Sequence, residues 1–431
     1  MPDAAHRVRL EGIDFDVAFP SLRLLSAFRM ALQPAKILMA LVLLLLVYFG
    51  GAALDLLWGD QPTAAGVSDT PYRVFATVLH GELSAFSDLI RAAARLDFGV
   101  GAVAGGAVAG GSAGVLGALH RMVVGVPGWA WTHHPGFFVL LTGWGLGLSM
   151  VVGGGIARLA AAEACHRHPQ GLAEATRFVR PRVLWLLLAP VIPLAVVGVV
   201  WLALAAAGAV LFGVPGLNLV GGMLYGLMLL GGLVAAALLV FTGLGAGLLP
   251  AAVAVEGTDA FDAVSRVFTF LICRTLRFFG LSAVMLVYGA LTTVLVGVVV
   301  FAAMWFTRAA AGAWTSGLAD AVPGGAFGRL PGAAIDAEAG GTAQASAWMV
   351  GVWARLAFGA WVAYAVSYFF TSQVWVYLLL RREVDGTAIE EAWTEAPAAD
   401  VVVEKVEPGA AGGAEPVSDT APAVGAGDDV G

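Results

Sequence analysis

Six stretches of this chain run for more than about twenty residues, the length a helix needs to cross roughly 30 Å of hydrocarbon. They are Ile37–Trp58, Phe137–Ala157, Val183–Val210, Leu219–Leu249, Phe278–Phe306 and Leu356–Leu380, and the only charge among them is Asp55, within a turn of the first run's end. Charged residues make up 12% of the 431, about half the roughly 25% usual in soluble domains. The fold class expected is therefore all-α: a polytopic membrane helix bundle of six transmembrane helices with interfacial amphipathic helices beside it. The N-terminal segment is polar and the first apolar run begins only near Ile37, too late for a standard cleavable signal.

Basic residues set the orientation, because short cytoplasmic loops are enriched in Lys and Arg. With the N-terminus inside, sixteen of the 23 fall on the cytoplasmic side: before Ile37, between Arg158 and Arg182, between Arg266 and Arg277, and after Leu380. Both termini are thus expected to be cytoplasmic. Three regions follow: an N-terminal segment with an interfacial helix (1–36), the transmembrane bundle (37–380) and an acidic tail too poor in apolar surface to fold (381–431). Lysine occurs only at Lys36 and Lys405, a bias of GC-rich bacterial genes, so the expected location is a bacterial cytoplasmic (inner) membrane.

The connections carry their own patterns. Leu22, Leu25, Phe28 and Leu32 share one face of an expected interfacial helix, with Arg23 and Arg29 reaching headgroups. Tyr72 to Asp97 reads as an amphipathic helix on the outer surface. Phe98 to Leu119 is free of charge and holds the Gly101/Gly105 and Gly106/Gly110 pairs, so it reads as a glycine-rich external or re-entrant segment, with a seventh crossing as the alternative. A crossing there would turn the later arginine-rich loops outward. The fourth run exceeds one perpendicular crossing and is expected to tilt or break around Thr242 to Pro250.

Glu256 to Phe270 sets three acids and an arginine between two uncharged runs. On a helix, Phe261, Val264, Phe268, Leu271 and Ile272 fall on one side and Asp262, Arg266, Thr269, Cys273 and Arg277 on the other. Thr258 or Asp259 is positioned to cap it, and Asp262 to pair with Arg266 four residues on. The loop after the second run has a related layout, with Glu163 and Arg167 at helical spacing and Glu174–Ala175 echoing Asp262–Ala263, so a parallel internal repeat is a further expectation.

Candidate chemistry is sparse. Glu163, Cys165, His166 and His168 are the nearest thing to a metal set, but tetrahedral sites want four ligands in defined geometry and no partner motif accompanies them. His133 and His134 beside Trp129 and Trp131 mark the outer headgroup region, and His80 to Glu82 lacks the cysteine pair of a zinc deaminase. Thr371, Ser372 and Gln373 form the conspicuous polar cluster within a late run, with hydrogen bonding between helices as their expected role. Asp55 and Arg355 lie at similar outer depth and could pair. Gly143/Gly147, Gly222/Gly226 and Gly243/Gly247 are read as close helix packing. Cys165 and Cys273 are both expected in the reducing cytoplasm, without a disulfide.

The stretch Leu249 to Phe270, with its proline, acid, alanine and Ser-Arg in order, resembles uncharacterised multi-pass bacterial membrane proteins of planctomycete type, as does Tyr377 to Glu391. More distantly it resembles the membrane domain attached to some glycerophosphodiester phosphodiesterases, whose catalytic barrel has no room in this chain. The resemblance implies six spans and no established activity. No catalytic residue, cofactor or metal site is assigned. The expected role is a non-enzymatic membrane scaffold or accessory subunit, with a transporter or channel-like protein for a small or lipid-like substrate as the alternative. Expected partners are membrane lipids and other membrane proteins or further copies of the chain, not nucleic acid.

Overall fold

The computed structural model describes residues 24–62, 71–99, 114–166, 171–312 and 341–389. All lie in one compact unit, Met1–Trp393; the second unit, Thr394–Gly431, falls outside the described residues. In chain order the helices are α1 (Ser26–Ala31), α2 (Pro34–Trp58), α3 (Val74–Ala94), α4 (Gly114–His120), α5 (Val126–His133), α6 (Pro135–His166), α7 (Leu172–Val179), α8 (Val183–Gly213), α9 (Asn218–Gly245), α10 (Leu248–Glu256), α11 (Ala260–Cys273), α12 (Thr275–Gly312) and α13 (Gly341–Asp385). A π turn, Arg121–Gly125, links α4 to α5, and a 3₁₀ turn, Arg180–Arg182, links α7 to α8. There is no β-strand among the described residues, only an isolated bridge between Gln61 and Tyr72.

Six helices are long and apolar enough to cross a membrane: Pro34–Trp58, Pro135–Cys165, Leu172–Gly213, Asn218–Gly245, Thr275–Thr307 and Met349–Asp385. Each contains one of the six apolar runs or most of it. The fourth run breaks as its length required. α9 stops at Gly245, and α10 starts at Leu248 and is buried from Leu248 through Val255, whereas most of α9 is exposed. A helix apolar all round belongs in a core, and α10 packs between α6 and α13. Gly257, in the left-handed region at φ 67°, ends it.

Interfacial elements collect at two ends of the bundle. One end holds α1, α7, α11 and the close of α13, with most of the described arginines; we call it the basic end. The other holds α3, α4 and α5. The short α1 lies deeper than its pattern suggested. Leu24, Ala27, Met30 and Ala31 are its buried face, while Leu25 and Leu32 are exposed at 55% and 38%. Small Ala27 and Ala31 admit α13 closely enough for Ser367 to donate to the Ala31 carbonyl at 2.9 Å. Leu22 lies outside the described residues.

Residues 100–113, which hold most of the candidate seventh crossing, also lie outside them. Their flanks nonetheless lie against each other. Val115 N–H donates to Asp97 O at 2.8 Å and Gly117 N–H to Gly99 O at 3.3 Å. One crossing would part its ends by roughly 30 Å, so the chain leaves Gly99 and returns at Gly114 on the same side. Gly114 is at φ 75°, and a Cβ there would overlap the backbone of Gly99.

The glycines that bring helices together are mostly not the expected pairs. Gly147 abuts Leu187 and Gly247 abuts Phe369 and Gln373 as expected, but nothing lies within 4 Å of a Cβ built on Gly143, Gly222, Gly226 or Gly243. Instead Gly50 faces the Trp144 ring, Gly289 the Tyr368 ring and Gly297 the Trp361 ring. Each ring also donates to the carbonyl four residues before its glycine: Trp144 Nε1 to Leu46 O at 3.1 Å, Tyr368 Oη to Met285 O at 2.9 Å, and Trp361 Nε1 to Thr293 O at 2.8 Å. That carbonyl already accepts the glycine's N–H, but it has a second lone pair. Without a Cβ the ring can lie on the helix and reach it. A donor in hydrocarbon must find a partner inside the protein, and this arrangement supplies one three times.

Candidate functional site

The basic end carries the densest set of polar contacts. α11 begins at Asp259, whose Oδ1 accepts Asp262 N–H at 2.9 Å, so Asp259 rather than Thr258 is the cap. Arg266 Nε donates to Asp262 Oδ2 at 3.0 Å, the expected pair one turn apart. The buried face of α11, however, is Ala260, Ala263, Val264, Val267, Phe270 and Leu271, while Phe261 and Ile272 are exposed at 71% and 61%. Small residues turn inward because α11 abuts α8, α10 and α13 at once; its large edge residues are left outside.

Glu256, the last residue of α10, is the hub. Its Oε1 accepts the Tyr377 hydroxyl at 3.1 Å and lies 2.8 Å from Arg381 Nε and 3.7 Å from an Arg266 nitrogen. The Arg381 Nε–H does not point along that contact, so the interaction is a charge contact rather than an aligned hydrogen bond. Arg266 also reaches Asp385 Oδ2 at 3.7 Å, and Arg277 Nε donates to Glu383 at 2.7 Å. These contacts tie α10, α11 and the start of α12 to the end of α13.

Glu163 is spent elsewhere than on a metal. Its Oε2 accepts Lys36 Nζ at 2.9 Å, and Lys36, wholly buried, also donates to Met30 O at 3.0 Å, satisfying a carbonyl at the end of α1. Cys165 is buried; the side chain of His166 and all of His168 lie outside the described residues. Among the described residues no three His, Cys, Asp or Glu side chains group as a metal site. Beside Glu163, Arg158 donates to Ala254 O at 3.1 Å.

At the opposite end Asp55 does not pair with Arg355. Its two oxygens accept Phe75 N–H at 2.7 Å and Ala76 N–H at 3.1 Å, so it caps α3 from a neighbouring helix. Glu82 of α3 has its carboxyl pushed up to about 7 by burial, with Arg121 pulling the other way. Arg121 donates to Ser84 Oγ at 2.8 Å and Asp88 Oδ2 at 3.2 Å. His80 is exposed. His133 stacks on Trp129 at 5.4 Å, and His134 meets the Tyr72 hydroxyl at 3.2 Å.

The polar groups of the late span make local contacts. Ser372 donates to Phe369 O at 2.7 Å and Thr371 is fully buried. Gln373 lies against Gly247 at the α9–α10 break. Asn218 and Tyr225 are exposed on α9, Asn218 at its far end and Tyr225 two turns in. Asn218 and Tyr225 therefore lie toward one end of α9 and Gln373 at the other.

Fold and contacts together define a multi-pass helical membrane protein. Compared with known proteins, the chain matches no family model, no curated protein and no solved structure.

Proposed function

We propose that this protein is a membrane scaffold or accessory subunit of a bacterial inner membrane, with its basic end in the cytoplasm and no catalysis of its own. The observation that supports this reading is how the basic end is braced. Glu256, Arg266, Arg381, Asp385 and the Lys36–Glu163 pair join helices that are far apart in sequence into one platform. A fixed platform on a membrane-embedded bundle suits the display of a docking surface. Transport of a small solute is the second reading, favoured by the α9–α10 break. Against it stands the separation of Asn218 and Tyr225 from Gln373.

Affinity purification of the full chain in mild detergent, with identification of co-purifying proteins and solutes, separates the two. A stoichiometric protein partner is the expected result. A solitary chain retaining one solute contradicts the scaffold.

A further inference from the structure

Packing along the α8–α9 hairpin stops partway. The buried residues of α8 are Leu186, Ala189, Pro190 and Pro193, and those at the basic end of α9 are Thr242 and Gly245. Of the described residues between Pro193 and Thr242 only Gly221 is buried, and it lies against Leu211 and Phe212 of α8 itself. Beyond Pro193, then, no described residue of the hairpin is buried against the rest of the bundle. Pro190 and Pro193, which lack the N–H of the helical ladder, sit where that packing ends. The hairpin is also long. α8 has 31 residues and α9 has 28, so they run for about 46 and 42 Å, against roughly 30 Å of hydrocarbon. No charged residue occurs from Val183 to Val255, the turn included. Arg180 and Arg182 directly precede α8 and set its start at the basic boundary, so an upright hairpin would lift its turn past the opposite headgroups. That turn carries Phe212, Val214, Leu217, Leu219 and Val220, all exposed, Leu219 at 74%.

We propose that the turn of this hairpin, residues 211–220, is immersed in the leaflet opposite the basic end, with lipid acyl chains as its partner. Apolar surface is driven out of water, and the surface of the turn is continuous with the exposed aliphatic flanks of both spans: Val196 and Leu202 on α8, Met223, Leu227 and Leu230 on α9. A helix longer than the local hydrocarbon leans, bends or thickens the bilayer around it. The two missing ladder bonds at Pro190 and Pro193, with no buried contact to the bundle beyond them, let this hairpin do so without unpacking the core. The inference rests on the membrane placement of the bundle and is independent of the scaffold reading.

The test uses nitroxide-labelled full-length protein in phosphatidylcholine nanodiscs, on a C273S background whose remaining Cys165 is buried. Collisions with oxygen, which concentrates in hydrocarbon, and with a water-soluble nickel chelate are read at V214C. Exposed V196C within α8 is the lipid reference, and exposed D60C, beyond the end of α2, is the water reference. The oxygen-to-nickel ratio at V214C is expected to follow V196C and to exceed D60C by at least about tenfold, the scale of excluding a polar solute from hydrocarbon. A ratio equal to that of D60C puts the turn in water and overturns the proposal. Low collision with both reagents means that protein, from this chain or another, covers the turn, and overturns it as well. A water-like ratio at V196C too would overturn the membrane placement itself, and so is told apart from failure of the turn alone. L219C, on the far side of the turn, repeats the reading should a label at 214 disturb Pro215.

Discussion

The Tyr368 hydroxyl donates to the Met285 carbonyl across the bare backbone of Gly289, where a Cβ would overlap the Tyr368 ring. The side chain thus does two jobs: it fills a groove and satisfies its own hydroxyl. The two can be separated. Tyr368→Phe keeps the ring and is expected to cost about 0.5–1.5 kcal/mol, the worth of one hydrogen bond. Gly289→Ala must displace the ring and is expected to cost more, about 1–3 kcal/mol for overpacking. Unfolding of both variants in detergent checks the order; a Gly289→Ala variant as stable as wild type contradicts it.

Asp55 caps a helix that is not its own. Asp55→Ala is expected to lose about 1 kcal/mol and, more tellingly, to speed amide hydrogen exchange at Phe75 and Ala76 without affecting the middle of α2. Uniform change across both helices contradicts a local cap.

Glu82 gives a pH dependence with a definite sign. Burial raises its carboxyl to about 7 against 4.5 for the free side chain, with Arg121 opposing. The folded state therefore holds the proton more tightly than the unfolded state between those values. Its contribution to stability is full below about 4.5, falls as pH rises toward 7, and is gone above it. Glu82→Gln is expected to flatten the pH profile of unfolding in that window and to stabilise the protein above pH 7, a change read by thermal melts at several pH values.

The Glu256–Arg381 contact is nearly sheltered, with 11% and 10% of the two side chains exposed. Removing Arg381 leaves Glu256 with the Tyr377 hydroxyl and the longer Arg266 contact, so loss of the charge contact is expected to cost about 1–3 kcal/mol. Glu256→Gln and Arg381→Met are each expected to be costly, and the double variant less costly than their sum. Strict additivity in that cycle contradicts the hub.

Charge-free length is a one-dimensional signal, which is why the six spans and the break before Leu248 were legible from sequence. Local spacing is equally readable, so a cap at Thr258 or Asp259 and the Asp262–Arg266 pair followed from it, and the structure selects Asp259. The partners of Glu163 and Glu256 did not, because Lys36 is 127 residues away from the first and Tyr377 is 121 from the second. Nor did most of the packing glycines: Gly147 and Gly247 meet a neighbour as their spacing suggested, but Gly222 and Gly226 have the spacing without a neighbour, and Gly289 has a neighbour without the spacing. Which face of a helix meets another is decided by tertiary fit. The same cause turned Ala263 and Val267 inward on α11 and left Phe261 outside.

The proposed threading puts the basic end in the cytoplasm, and the chain carries its own probe of it. Cys273 is exposed at that end, whereas Cys165 is buried and serves as an internal control. Treating intact spheroplasts with a membrane-impermeant maleimide is expected to leave Cys273 unmodified, with labelling only once the membrane is permeabilised. Modification of Cys273 in intact spheroplasts would contradict the threading and the cytoplasmic platform with it.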